Sequence, residues 1–162
     1  MTAIDHGALE AIRTIKQARS PRWPSVERAH LAKNPHCACC ESGKYVDAGQ
    51  QVHHKFPFHY CIALGRPDLE LDERNLITLC EDEAGRPGQN HHLLIGHLDN
   101  FKSSNLTVVV DATHTFHGMN AAMIRASSVW KAKVDKRLKS LDLMSAEDKK
   151  EFTALMNKTF PK

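Results

Sequence analysis

The sequence predicts an α+β protein: a small metal-bearing centre of two short strands and a helix, wrapped by helices on both sides. Three observations predict it. Apolar residues recur at helical spacing near both ends of the chain. That period disappears between His36 and about His97, where cysteine, histidine and glycine become frequent. Inside this stretch stand two short runs, Gln51-Val52-His53-His54-Lys55 and Leu76-Ile77-Thr78-Leu79, each bounded by turn or loop residues in the manner of strands.

The bulk numbers set bounds. At 162 residues one domain spanning 1–162 is expected, divided into N-terminal helices (1–35), the centre (36–105) and a C-terminal helical extension (106–162). Hydrophobic content of 41% with 25% charged residues is that of an ordinary soluble protein. A net charge of +3 permits a polyanionic partner without requiring one. No apolar run approaches the roughly 18 residues of a membrane span. The opening Met1-Thr2-Ala3-Ile4-Asp5-His6 lacks a signal-peptide pattern, so a cytoplasmic location is expected. Five cysteines, three of them within Cys37-Ala38-Cys39-Cys40, then read as metal ligands rather than a disulfide framework.

Taken in order, Ile4, Ala8, Ile12 and Ile15 mark a first amphipathic helix that ends before Ser20-Pro21. A second runs over 24–33, opened by Pro24 and stopped by Asn34-Pro35. The connector 56–74, with Pro57, Gly65 and Pro67, is long for a compact domain and is expected to be functional or folded on itself. Residues 89–95 form a short helix, with Gly96 as its left-handed cap. Leu106-Thr107-Val108-Val109-Val110 suggests another short strand. A helix over 119–141 carries Met123, Ser127, Trp130, Val134, Leu138 and Leu141 on one face. Ser145-Ala146-Glu147-Asp148 resembles a capping box for a last helix with Phe152, Leu155 and Met156 inward.

Cys37 and Cys40 have the two-residue spacing that presents two sulfurs to one tetrahedral ion. Cys80, ending the second strand, and His91, opening the helix, complete a Cys3His zinc set. Cys39 is an alternative to Cys40, and Cys61 to His91. Such a zinc would supply folding free energy to a centre short of apolar burial.

Five of the eleven histidines form the other cluster: His53 and His54 on the first strand, His91, His92 and His97 around the helix. Neighbours on a strand point to opposite faces, so one of His53 and His54 binds a metal while the other acts on water. His92 and His97 approach the same point, although five residues apart, if Gly96 redirects the chain. Asn75 has donors and an acceptor with which to hold the strand or orient an imidazole. A divalent cation with open positions beside a neutral histidine is the equipment of a metal-assisted hydrolase.

These residues resemble a family. From Cys37 to about Asn105 the chain is similar to the HNH endonucleases, the ββα-metal nucleases, in their cysteine-containing branch. The resemblance rests on Pro35-His36-Cys37-Ala38-Cys39-Cys40, on Val52-His53-His54-Lys55-Phe56-Pro57, on Asn75-Leu76-Ile77-Thr78-Leu79-Cys80 and on His91-His92. The stretch His92-Leu93-Leu94-Ile95-Gly96-His97-Leu98-Asp99-Asn100-Phe101-Lys102-Ser103 also resembles a subgroup of bacterial and phage members. It implies that His54 is a general base activating water against a DNA phosphodiester, that His53, His92 and His97 hold the catalytic metal, and that Asn75 orients His54. Products would carry 5′-phosphate and 3′-hydroxyl ends. Many members have Asp where His53 stands, and imidazoles suit Zn, Ni or Mn more readily than Mg. His91 also stands where a cysteine is usual. RNA cleavage by the same site and a non-catalytic zinc-stabilised nucleic-acid-binding module are the rival readings.

Basic residues in the flanks provide the expected contacts to double-stranded DNA. Arg125, Lys131, Lys133 and Arg137 lie within the 119–141 helix, and Lys55 follows the histidine pair. Arg13, Lys16, Arg19, Arg22 and Arg28 form a second cluster. Trp23 and Trp130 are expected in the core.

Overall fold

Helix α1 (Trp23–Lys33) has Pro24 in its first turn, where proline's fixed φ suits a helix start, and ends where the Asn34 N–H bonds the His30 carbonyl. It is the first helix among the residues that the computed structural model describes, 19–40, 49–82 and 89–162. The helix expected around Ile4, Ala8, Ile12 and Ile15, with Arg13 and Lys16, lies outside the described residues.

Strands β1 (Gly49–His54) and β2 (Leu76–Glu81) pair antiparallel as a two-stranded sheet. His53 stands opposite Ile77, His54 opposite Leu76, and Gln50 opposite Cys80. Alternation therefore places His53 with Ile77, Leu79 and Glu81 on one face, and His54 with Val52, Leu76 and Cys80 on the other. Val52 and Leu76 pack on Trp23 of α1. The connector folds on itself, as its length required: α2 (Phe58–Ala63) is followed by 3-10 turns at Pro67–Glu70 and Glu73–Asn75. Gly65, at φ +84°, takes the left-handed conformation just past the end of α2.

Beyond β2 the chain enters a π-helical turn, His92–Gly96, and then short helices. The strand expected over 106–110 is helical instead: α3 (Val108–Val110) runs into a second π-helical turn, Asp111–Thr115. Here tertiary contacts outweigh the β-propensity of three valines. Asn105 donates to the buried Asp111 carboxylate at 2.7 Å and accepts from the Thr107 N–H, while Val108 is fully buried.

The single helix expected over 119–141 is two, α4 (Ala121–Ala126) and α5 (Ser128–Asp135). Ser127 separates them because its hydroxyl caps α5 by accepting from Trp130 N, a job that serine does better than helix interior. The expected apolar face is broken accordingly. Ile124 is buried and Met123 is half-exposed. Helix α6 (Ala146–Thr159) starts at the expected Ser145/Asp148 capping box and buries Phe152 and Met156, whereas Leu155 points largely to solvent.

Two main cores result. Ile77, Leu79, Leu94, Ile95, Phe116 and Trp130 pack with the cysteine-rich end of the sheet. Phe56, Tyr60, Leu69, Phe152 and Met156 join the connector to α6. The architecture is mixed helix with a small sheet, an α+β arrangement. No helix among the described residues is long and apolar enough to cross a membrane.

Candidate metal centres

Two groups of side chains converge as metal-ligand sets, one from the knuckle, β2 and the residue before the π-helical turn, the other from β1 and the two ends of that turn. In the first, Cys37, Cys40, Cys80 and His91 each offer an atom, all within 4.8 Å of one another. Zinc–sulfur bonds of about 2.3 Å and zinc–nitrogen bonds of about 2.0–2.1 Å at tetrahedral angles imply edges of about 3.8 Å between sulfurs and about 3.5 Å from sulfur to nitrogen. The Cys40 and Cys80 sulfurs are 3.7 Å apart, and His91 Nδ1 lies 3.5 Å from Cys37 Sγ and 3.4 Å from Cys80 Sγ. His91 Nε2 donates to the Met119 carbonyl at 2.7 Å, which fixes the ring so that Nδ1 faces the sulfurs. This Cys/His quartet could hold zinc.

Hydrogen bonds that Cys37 makes with Cys40 and Cys80, with burial, push its thiol up, and the hydrogen bonds Cys80 receives hold its thiol far down. Burial alone would lower His91, but its bonds to cysteine sulfurs outweigh that and push it up to about 12. A thiolate against an imidazolium is the charge distribution that a cation would replace. The alternatives fall outside the quartet: Cys39 Sγ donates to the Phe116 carbonyl at 3.1 Å, and Cys61 is buried in the other core beside the Phe56 carbonyl.

The second set is His53, His92 and His97, again within 4.8 Å of one another. His92 Nδ1 donates to Glu81 Oε1 at 3.1 Å and His97 Nδ1 to the Ser103 carbonyl at 2.7 Å. With Nδ1 of each ring so engaged, the two Nε2 atoms face each other at 3.2 Å. His53 Nε2, fully buried, has no hydrogen-bond partner. Lone pairs so arranged repel unless a proton or a cation lies among them. An edge of about 3.3 Å is what a tetrahedral ion with nitrogen ligands requires. Burial pushes His53 well below the usual imidazole value, and the neighbouring His97 and His92 add to it. His97 is held down to about 4, by burial and then by His92. Both rings are neutral at pH 7, as ligands must be.

The π-helical turn explains the five-residue spacing. An α-helix brings residues three or four apart together, whereas π geometry, with its i→i+5 bonding, brings His92 and His97 onto one side. Gly96 is not the left-handed cap expected of it. The positive φ values fall on Leu98 (50°) and Asp99 (66°). Gly96 instead permits close approach: a Cβ there would stand 3.0 Å from His53 Nδ1 and 3.3 Å from Leu79 Cδ1.

His54, on the opposite face of β1, lines the same cleft as the triad, a space of about 320 Å³. Its Nε2 donates to the Glu70 carbonyl at 2.8 Å, and its ring lies against Trp23 at 4.6 Å. Burial, offset by that carbonyl bond and aided by Arg19 and His59, pushes its pKa down to about 4. Asn75 does not touch the imidazole. Its carbonyl accepts from Phe56 N at 2.8 Å, and its amide donates to the Phe56 and Leu69 carbonyls at 3.1 and 3.0 Å. Fully buried, it staples the chain two residues past His54.

The expected nucleic-acid contacts lie elsewhere. Arg125 pairs with Asp99 at 3.2 Å, Lys133 with the buried Asp111 at 3.0 Å, and Arg137 donates to the Leu98 carbonyl at 3.1 Å. Lys55 donates to the Arg74 carbonyl at 2.8 Å. Lys131 is exposed on α5. None of these lines the cleft, and the break at Ser127 means they share no single helical face. Of the second basic cluster Arg19 does line it, its guanidinium lying over the Trp23 and Phe58 rings at 4.9 and 4.5 Å, and so do His59 and Phe101, which were given no role from the sequence. Glu81, the carboxylate behind His92, had one signal in the sequence, its place one residue after Cys80 on the strand.

No protein-family model matches the chain, and no curated protein or solved structure shows significant similarity to it.

Proposed function

We propose that the chain is a metal-dependent endonuclease of the HNH, ββα-metal type that hydrolyses DNA phosphodiester bonds, with zinc in the Cys3His quartet as a structural element. The observation that carries this reading is the convergence of three lone-pair-bearing imidazoles with a fourth, differently oriented one in a single cleft. A divalent cation held by His53, His92 and His97 would supply Lewis-acid polarisation of a phosphoryl oxygen and charge stabilisation at the leaving oxygen.

The chain's own residues do the rest. His54 donates its Nε2 proton to the Glu70 carbonyl, so the neutral ring presents Nδ1 to take a proton from water. Its depressed pKa keeps it in that form at neutral pH, and an arriving phosphate raises its proton affinity electrostatically. Arg19, held over two aromatic rings beside His54, offers positive charge to the anion. Asn75 fixes the backbone that carries the base. The order strand, connector, strand, helical turn, with the quartet ligands interleaved, supports the family assignment.

Plasmid nicking in the presence of Mn, Ni or Mg tests the reading. Wild type cleaves, and His54→Ala is slower by about 10²- to 10⁴-fold, the usual contribution of a positioned acid or base. Cleavage unchanged by that substitution removes His54 as the base. Failure of wild type to cut with any of the metals removes the nuclease reading in favour of a binding module.

A further inference from the structure

Phe101 is the large apolar side chain that the cleft does not hide. It is 56% exposed while its ring centroid lies 5.0 Å from that of His97 and 5.7 Å from that of His92. Single exposed apolar residues are common and need no explanation. This one differs in how firmly it is presented. The turn that carries it takes two consecutive residues, Leu98 and Asp99, into the left-handed region without glycine, a conformation that bulky side chains rarely adopt.

The turn is tied down on every side. Asp99 N donates to the Leu93 carbonyl at 3.0 Å, and the Asp99 carboxylate pairs with Arg125. The Leu98 carbonyl accepts from Arg137. Ser103 accepts from His97 through its carbonyl, and its hydroxyl donates to the Leu138 carbonyl at 3.2 Å. Basic side chains expected to hold DNA phosphates thus brace the turn that displays Phe101. Lys102, exposed, stands next to it.

We propose that Phe101 is a stacking platform for an unpaired nucleobase next to the phosphate seated at the His53/His92/His97 triad, so that the preferred substrate is a single-stranded segment of DNA. The proposal rests on the nuclease reading for the position of that phosphate. Every base has a π-face, so such a platform is tolerant of sequence but needs a base released from its duplex stack. A fixed aromatic ring also loses little conformational freedom on binding. The same cleft is lined by Arg19, over the Trp23 and Phe58 rings, which provides the cation that a single-strand groove combines with its aromatic contacts.

Binding separates this proposal from the nuclease reading. A fluorescent 12-nucleotide DNA strand and its blunt duplex are titrated into metal-loaded His54→Ala protein, with and without Phe101→Ala and Phe101→Trp. Stacking of one base predicts that Phe101→Ala weakens single-strand binding by about 5- to 150-fold, and at least fivefold more than duplex binding. Phe101→Trp restores it, and its fluorescence is quenched by the strand but not by a strand of abasic sites. Equal losses on both forms, no loss, or no binding of the single strand each overturn the platform. Cleavage of duplex by the wild type alongside any of those results leaves the nuclease reading standing. Phe101-dependent single-strand binding by a protein that cuts nothing leaves the platform and removes the nuclease.

Discussion

The Cys37/Cys40/Cys80/His91 quartet and the His53/His92/His97 triad draw on the same two dipeptides and end in different surroundings. Cys80 serves the quartet while Glu81, next along β2, braces His92 of the triad. His91 serves the quartet while His92 serves the triad. On the strand, alternation sends neighbours to opposite faces. The quartet offers four ligands, its cysteines within or packed against the apolar core around Leu79 and Leu94. The triad lines a cleft and, among the described residues, offers three. Four protein ligands close a zinc site, and three leave a position for chemistry. The contrast teaches that two ligand sets equally close-packed can differ in ligand number and cover, the features that distinguish a closed metal site from an open one.

The largest expected effect breaks the quartet. Cys80→Ser should abolish the cooperative thermal transition, because zinc contributes about 10 kcal/mol in isolated modules against a total stability of about 5–15 kcal/mol for a domain. His92→Ala should lose one equivalent of bound metal and keep the transition. Circular dichroism melts with metal analysis check both, and a Cys80→Ser protein that melts like wild type would show the two centres to be equivalent.

A smaller effect follows from pH at the cleft. His54 is held at about 4 when folded against about 6.5 when unfolded. Between those values the unfolded chain binds a proton that the folded chain refuses. The contribution is therefore fully present above about pH 6.5 and is lost as pH falls through the folded value, amounting to about 3 kcal/mol. Denaturant titrations at pH 7 and 4.5 should show that loss, and His54→Phe should show a shallower slope. An identical slope in the variant would place the acid sensitivity elsewhere.

The smallest effect sharpens the boundary between the centres. Glu81→Gln should weaken metal binding at the triad by about 10- to 100-fold, as loss of an outer-shell carboxylate typically does. The quartet, one residue away along β2, should keep its ion. Chelator competition reads the two affinities separately, and equal weakening of both would merge them into one coupled site.

Much of this was legible in the sequence where spacing is itself the physics. Cys-x-x-Cys, a strand-borne histidine pair and a capping box act over a few residues, so Cys37, Cys40, His53, His54 and Ser145 could be placed by local rules. The connector's folding on itself followed from its length. The five-residue gap from His92 to His97 was visible, but its solution was not: a π-helical turn depends on Gly96 fitting against His53, a contact more than forty residues distant in the chain. The three valines at 108–110 misled for the same reason, since a strand needs a partner and, among the described residues, the two strands of the sheet pair only with each other. Basic residues on α4, on α5 and just beyond it read as a phosphate-binding face in the sequence, but Asp99, Asp111 and the Leu98 carbonyl hold three of them.

The sequence by itself determined the ligand types, their order and the α+β class, because residue chemistry and short-range periodicity are properties of the chain. The division of the histidines, His91 with the cysteines and His53, His92 and His97 together, was already expected from the sequence and the resemblance it carries. Only the tertiary structure decided that Asn75 staples backbone rather than imidazole, that Glu81 stands behind His92, and that Arg19 and Phe101 line the cleft. Those outcomes turn on hydrogen bonds and packing between segments far apart in sequence, and on burial that strips water from a lone pair. No local pattern encodes them.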